Sequence, residues 1–412
     1  MIQHSDSEEQ RYSVYTLAAQ AGLPAADEHL TPAVPPIVPS VGYLHPTMAD
    51  VEQALAYDGA VEGKAEHFVY ARHGGANQAD FERAIARLEG AEGAISFSSG
   101  MAALHAAILT LVPPGGRVLA AETLYGVTHA LFDWLHAAMN LEVRRVDFLD
   151  LEAVRQAAAE MKPHALFCEV LTNPLMRVVR LQQIAQIAQE SGAHLIVDNT
   201  FATPFLLQPL RLGATLVVHS ATKYLNGHGD VTGGVIAGAD DLMRRAFGYR
   251  KLLGAAWGAF DAWLALRGLR TFALRMAHTC ESALQVARWL AQRRGVGHVY
   301  YPGLPADPAH WAARELFENR GYGGMIAFEI EGLAREGAFS FVEHLKLIKP
   351  VTSLGDLYSL ILHPATSSHR ALTPEQREAQ GITEGVLRLS VGIESPDDLI
   401  EDLDQALRAV SR

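Results

Sequence analysis

The sequence predicts an α/β fold: a mostly parallel sheet covered by helices, followed by a smaller C-terminal α/β domain. Two observations predict it. Between residues 73 and 265, short strand-like runs (GAISFSS, RVLAAE, HALFCEV, HLIVDNT, ATLVVHS) alternate with segments of helical period such as QADFERAIARLEG and LQQIAQIAQESG. Parallel strands need helix-length crossovers, and this alternation supplies them. Farther on, a long helical stretch (FDAWLALRGLRTFALRMAHTCESALQVARWLAQRRG) gives way to GGMIAFEIEG and VLRLSVGIE, strand-like runs mixed with helices. They predict a second, smaller sheet.

Ahead of the first rhythm, TPAVPPIVPSVGYLHP is dense in proline and has no sustained period. Residues 1–72 therefore read as an extended arm lying on another surface, which suggests an oligomer. The expected organisation is an arm over 1–72, a large domain over 73–265 and a C-terminal domain over 266–412. At 412 residues and 49% hydrophobic composition, the chain exceeds one typical domain and can bury a substantial core. Its 34 basic against 46 acidic side chains give a net charge of −12, which disfavours a nucleic-acid partner. Only Cys168 and Cys280 are present, Cys168 within an apolar run. Buried, reduced thiols in a cytoplasmic protein fit this better than a disulfide framework, and no CxxC pattern suggests a metal. A polar, acidic start and the lack of an uninterrupted apolar run of about 18 residues predict neither a signal peptide nor a membrane span.

The chemistry is concentrated at strand ends. In HSATKYLNGHGDVTGG, Lys223 follows a buried strand, stands beside Ser220 and Thr222, and precedes glycines that let backbone approach a ligand closely. A lysine in that place can simply be solvated. Shielded from water, its amine is instead a nucleophile toward carbonyl compounds, pyridoxal phosphate included. In AISFSSGMAALHAAILTLV a strand runs into Ser98, Ser99 and Gly100 and then a helix. The serines suit an ordinary N-cap; the N–H groups of Gly100 and Met101 also suit a phosphate. HLIVDNT ends in Asp198, which suits a turn or a partner for a protonated ring nitrogen. Together the anion site, carboxylate and lysine match every polar handle of pyridoxal phosphate.

The motifs SSGMAA, TLYG, VDNTFATP, HSATKYLNGHGDVTGG, SLGD and VLRLSVGIE, spread in order over nearly the whole chain, resemble those of the Cys/Met-metabolism family of pyridoxal-phosphate enzymes. Several, with YPGLP and GGMIAFEI, look most similar to its methionine γ-lyases. The resemblance implies fold type I with a seven-stranded sheet. It makes Lys223 the cofactor-binding lysine and proton carrier, and Asp198 the partner of the ring nitrogen. Gly100, Met101, Ser220 and Thr222 would hold the phosphate. Tyr70 and Arg72 of VYARHGG match a Tyr-x-Arg pair lent to a neighbouring subunit's phosphate, which implies shared sites in a homotetramer built as a dimer of dimers. Tyr125 matches the tyrosine that stacks on the cofactor ring and serves as acid or base, and Asn173 the residue near the cofactor's phenolic oxygen. Ser353 and Arg388 match the substrate-carboxylate site, the guanidinium fork pairing bidentately with a carboxylate.

The implied reaction is γ-elimination from a γ-substituted amino acid such as methionine, homocysteine or cystathionine, giving 2-oxobutanoate and ammonia. Attack by a thiol at Cγ would give γ-replacement on an O-acylhomoserine. An aminotransferase would use the same lysine and aspartate, and a non-catalytic cofactor-binding protein would keep them too; the Tyr-x-Arg pair and the SATKY context favour the elimination family. Two positions depart from the γ-lyase pattern. Val127 follows LYG where many have cysteine, and HPATSSHR carries Ser367 in place of a methionine, with Arg370 just beyond. Loss of a flexible thioether predicts a more polar pocket and a preference for substrates other than methionine.

Overall fold

The computed structural model describes residues 12–23, 32–56 and 68–410. Among these, seven strands form the larger sheet: β1 (Gly93–Phe97), β2 (Arg117–Ala121), β3 (Glu142–Val146), β4 (Ala165–Glu169), β5 (His194–Asp198), β6 (Leu216–Ser220) and β7 (Gly234–Gly238). Their order is β1-β7-β6-β5-β4-β2-β3. The pairs β2/β3, β2/β4 and β5/β6 are parallel, while β7 runs antiparallel to β1 and β6. This is the mostly parallel seven-stranded sheet that the sequence and its resemblance imply.

Two of these strands escaped the sequence reading, for opposite reasons. β3, EVRRV, lies at the sheet edge and is largely exposed, so its polar residues hide a strand held by backbone pairing to β2. β7, GVIAG, is fully buried but bounded by glycines that read as loop.

Chain contacts gather into two compact units. The first comprises Met1–Pro113 and His194–Leu274, the second Pro114–Ala193 and Arg275–Arg412. In the first, the proline-rich segment is tied to its own unit: Val38 N–H donates to Asn77 Oδ1 at 2.9 Å, Asn77 Nδ2 to Pro36 O at 2.8 Å and Trp263 Nε1 to Pro35 O at 2.8 Å. Short helices at Val14–Ala19 and Met48–Ala56 interrupt the extended arm expected from its composition. Ser13 caps the former with its hydroxyl.

The second unit contains a smaller sheet in the order β10-β11-β12-β9-β8, formed by β8 (Val296–Tyr300), β9 (Met325–Ile330), β10 (Lys349–Pro350), β11 (Leu360–Leu362) and β12 (Val386–Ser390). Its core joins Phe328, Leu387 and Leu389 to Phe341 of the helix Arg335–His344 and to Leu399 and Leu403 of Pro396–Val410. Phe328 and Phe341 meet edge to face, ring centres 6.0 Å apart. That packing fixes β12, every residue of which is buried, Arg388 included.

Candidate active site

In the first unit, the fully buried β1 delivers the chain to Ser98 and Ser99. Ser99 is the N-cap of the helix Gly100–Leu111, its hydroxyl accepting from Ala102 N at 3.1 Å, while Ser98 N–H donates to Ala255 O at 3.0 Å. The first-turn N–H groups of Gly100 and Met101 have no acceptor within the helix, so they and the helix dipole favour an anion. No side chain fits here. A Cβ on Gly100 would stand 2.9 Å from Ser220 Cβ and 3.0 Å from its hydroxyl, and one on Gly234 would stand 2.2 Å from Ser99 O. The Ser99–Gly100 turn, the end of β6 and the start of β7 thus form a cradle of backbone and hydroxyls.

Ser220 closes β6, its N–H bonded to Thr200 Oγ1 at 2.9 Å. The Thr222 hydroxyl accepts from Gly233 N at 2.9 Å and donates to Gly233 O at 3.2 Å, tying the lysine turn to the glycine pair. Lys223 is half-buried in that turn, its N–H donating to Ser220 O at 3.2 Å and its carbonyl accepting from Gly227 N at 2.8 Å. Asp198 ends β5 with Oδ1 accepting from Thr200 N at 2.9 Å. Burial pushes its carboxyl up from the ordinary range, opposed by the Thr200 hydrogen bonds and by His219. A cationic partner would act in the same sense as His219, favouring the charged form. The residues after Asp198 and before Ser220 are buried on Glu89: His219 Nε2 lies 2.6 Å from Glu89 Oε1, to which Asn199 Nδ2 donates at 3.2 Å.

Tyr70 and Arg72 sit on the surface of this unit. Arg72 Nη1 donates to Lys251 O at 2.5 Å, and its guanidinium stands 5.5 Å from the Tyr70 ring centre. Tyr70 is 44% exposed.

The second unit gathers the other expected residues. Tyr125 precedes the helix Gly126–Met139, and Asn173 precedes the cis-Pro174 turn; Glu169, the last residue of β4, holds both. Its Oε1 accepts from Tyr125 N at 2.6 Å and its Oε2 from Asn173 N at 3.3 Å. The sequence reading missed Glu169, although the signal that singled out Asp198, a carboxylate ending an apolar strand, is present in ALFCE. Arg388 Nη1 donates to Asn173 Oδ1 at 2.8 Å and Nη2 to Ser353 O at 3.3 Å, so Asn173, Ser353 and Arg388 do come together.

Ser367 is half-buried, and its hydroxyl donates to His363 O at 2.6 Å within its own turn. That hydroxyl is therefore already engaged by backbone. Val127 is exposed, as is Arg370. Also missed was His369, fully buried, with Nε2 3.1 Å from Asn173 O. Burial and the Arg388 charge lower its pKa to about 4. His129 is likewise lowered to about 4 by burial and Arg145. Both cysteines are free and buried, and burial raises the Cys280 thiol to about 12. Among the described residues no His, Cys, Asp and Glu group could hold a metal ion, and no helix is long and apolar enough to cross a membrane.

A cradle too tight for side chains beside helix N–H groups suits a phosphate, a buried strand-end carboxylate suits a protonated ring nitrogen, and a half-buried lysine between them in sequence suits an aldehyde. These residues fit pyridoxal phosphate and define the class, an enzyme dependent on that cofactor. The chain belongs to the Cys/Met metabolism PLP-dependent enzyme family, whose model matches residues 15–408.

An O-succinylhomoserine sulfhydrylase of Pseudomonas aeruginosa is 39% identical over 89% of this chain and 89% of its own length. An L-methionine gamma-lyase of Pseudomonas putida is 39% identical over 93% and 94%. The solved structure of cystathionine gamma synthase from Xanthomonas oryzae pv. oryzae, in complex with aminoacrylate and cysteine, aligns with a TM-score of 0.88 at 34% identity, covering 97% of this chain and 99% of that one. The protein is therefore a pyridoxal-phosphate-dependent enzyme of the trans-sulfuration group, acting on an amino acid.

Proposed function

We propose that the protein catalyses γ-elimination on a γ-substituted L-amino acid, of the kind represented by methionine, homocysteine and cystathionine, releasing 2-oxobutanoate, ammonia and the leaving group. The observation that carries the amino-acid half is Arg388, a guanidinium buried in the middle of β12 and oriented by Asn173 Oδ1 and Ser353 O. In this reading Arg388, with Ser353, binds the substrate α-carboxylate. Asn173 would serve both halves of the chemistry, orienting Arg388 and binding near the cofactor's phenolic oxygen.

Gly100, Met101, Ser220 and Thr222 would hold the cofactor phosphate, and Asp198 would keep the ring nitrogen protonated. Bound pyridoxal phosphate supplies an electron sink for charge that develops at Cα. Lys223 Nζ would take the Cα proton and carry protons at Cβ. Tyr125 would offer a flat face to the cofactor ring and a proton to the departing γ-substituent. Ser367 borders the side-chain end of the pocket.

Tyr70 and Arg72 are read as ligands for a neighbouring subunit's phosphate, supported by their exposure on this one. The assembly is then a homotetramer of two intimate dimers, with the 1–72 arm, the 73–265 cofactor domain and the 266–412 domain as its parts. Mixing Arg72→Ala with Lys223→Ala chains should restore activity through hybrid sites. No recovery after demonstrated subunit exchange would sink the shared site.

γ-Replacement on an O-acylhomoserine is the second reading, favoured by the sulfhydrylase relative, whose identity equals that of the γ-lyase. A panel of methionine, homocysteine, cystathionine and an O-acylhomoserine, assayed for 2-oxo acid with and without added thiol, separates them. Elimination predicts 2-oxobutanoate without thiol. A product that appears only with thiol, and retains the amino group, would replace the first reading by the second.

A further inference from the structure

His369 is a buried imidazole to which the reaction just described gives no part. Its ring lies among the Asn173 and Leu124 backbones and the Ser368 hydroxyl. Nε2 lies 3.1 Å from the Asn173 carbonyl oxygen, which can only accept, so Nε2 carries the proton. The ring is neutral, its pKa lowered by burial and by Arg388, and so Nδ1 presents a lone pair. In that tautomer the Ser368 hydroxyl, 2.9 Å from Nδ1, donates to it. From there the chain of bonds continues through one residue: Asn173 is held at its carbonyl by His369, while its side-chain oxygen accepts from Arg388 Nη1 at 2.8 Å, and Arg388 Nη2 reaches Ser353 O at 3.3 Å. Five residues from four separate segments are thus linked: Ser368 donates to His369, His369 and Arg388 both donate to Asn173, and Arg388 donates also to Ser353.

The surroundings are rigid where this link starts. A Cβ on Gly126 would lie 2.3 Å from Ser368 O, so the Ser368 backbone is pressed against the first turn of the helix Gly126–Met139. At the other end, Asn173 N–H is taken by Glu169. Asn173 is therefore gripped at its N–H by Glu169 and at its carbonyl by His369, leaving its side-chain oxygen aimed at Arg388. Neutrality matters, because a protonated His369 would add a second buried cation beside Arg388.

We propose that His369, as a neutral Nε2–H tautomer set by Ser368, is a positioning residue for the carboxylate-binding guanidinium of Arg388, acting through Asn173. This inference rests on the reading of Arg388 as the ligand of the substrate α-carboxylate. The chemistry it affects is recognition of an α-amino acid by its carboxylate, whatever the γ-substituent.

The test uses the cofactor-loaded protein and two unreactive probes, L-norleucine and pentylamine, which share a chain but differ in the carboxylate; binding is read from the cofactor absorbance. Gln places its amide nitrogen near the position of Nε2 and keeps the donor to Asn173, whereas Asn places it near Nδ1 and cannot. His369→Asn should weaken norleucine about tenfold, the worth of one buried hydrogen bond, and leave pentylamine within about twofold. His369→Gln should restore most of the loss, and Ser368→Ala should lower norleucine affinity about threefold in the same carboxylate-selective way. If His369→Asn does not fold, Ser368→Ala against His369→Gln decides. Equal weakening of both probes, or a Gln variant no better than Asn, would show that His369 merely supports the fold and would overturn the proposal. Arg388→Ala provides the control: if it leaves the ratio of the two affinities unchanged, the carboxylate reading itself falls and this inference with it. If Arg388→Ala changes the ratio and the His369 and Ser368 variants do not, only the inference falls.

Discussion

The region around Lys223 and the region around Arg388 are built by different means. Near Lys223, backbone does the work: Gly100 and Gly234 admit no side chain, and first-turn helix N–H groups favour an anion. Contributors cluster at strand ends, with Ser220, Thr222 and Lys223 within four positions. Near Arg388 side chains do it, joining β12 to Asn173 and Ser353, residues 215 and 35 positions away in sequence. A backbone cradle is set by which residues can be glycine. A side-chain network is set by which segments the fold brings together.

That contrast can be broken most severely at Lys223. Lys223→Ala should abolish the visible absorbance of the bound cofactor and lower turnover by more than about a thousandfold, since both the cofactor bond and the proton carrier are lost. A retained band after removal of free cofactor would mean that another lysine binds it. Arg388→Ala should keep the band but cut kcat/KM about 30- to 1000-fold for every amino-acid substrate, on the scale of a lost charge-assisted pair of roughly 2–4 kcal/mol. A loss confined to one side chain would place Arg388 at the wrong end of the pocket.

Gly234→Ala tests the cradle. Its Cβ would meet Ser99 O, and overpacking of this kind costs ~1–3 kcal/mol. Weaker cofactor binding and a lower Tm are expected; unchanged values would show that the turn can give way.

A smaller, pH-dependent effect should mark the side-chain region. His129 titrates near 4 when folded and near its ordinary 6.5 when unfolded. The unfolded chain therefore takes up its proton first as pH falls, and stability declines from about pH 7 toward pH 4. Between about pH 7 and pH 5 this single group removes about 2 kcal/mol. Denaturant unfolding of His129→Gln at both pH values should show that much less acid sensitivity, and an unaltered slope would contradict the lowered pKa.

Ser367→Met should have the smallest effect, a shift of about threefold toward thioether substrates, because the hydroxyl removed is engaged with His363 O. Substrate rankings identical to the parent enzyme would exclude Ser367 from the pocket.

The sequence by itself determined the parts that depend on local pattern. Strand and helix periods in 73–265 predicted the larger sheet, and SSGMAA and HSATKYLNGHGDVTGG pointed to Gly100 and Ser220, which the structure sets against each other, because tight turns dictate their residue types. Charge and glycine concealed β3 and β7, whose pairing comes from backbone that any sequence carries.

Resemblance singled out Asn173 and Arg388 separately; only the tertiary structure joined them, and only it showed Glu169 and His369 gripping Asn173 from either side. Hydrogen bonds of this kind depend on distances of about 3 Å between segments far apart in the chain. Such distances follow from packing, and no local run of residues encodes them.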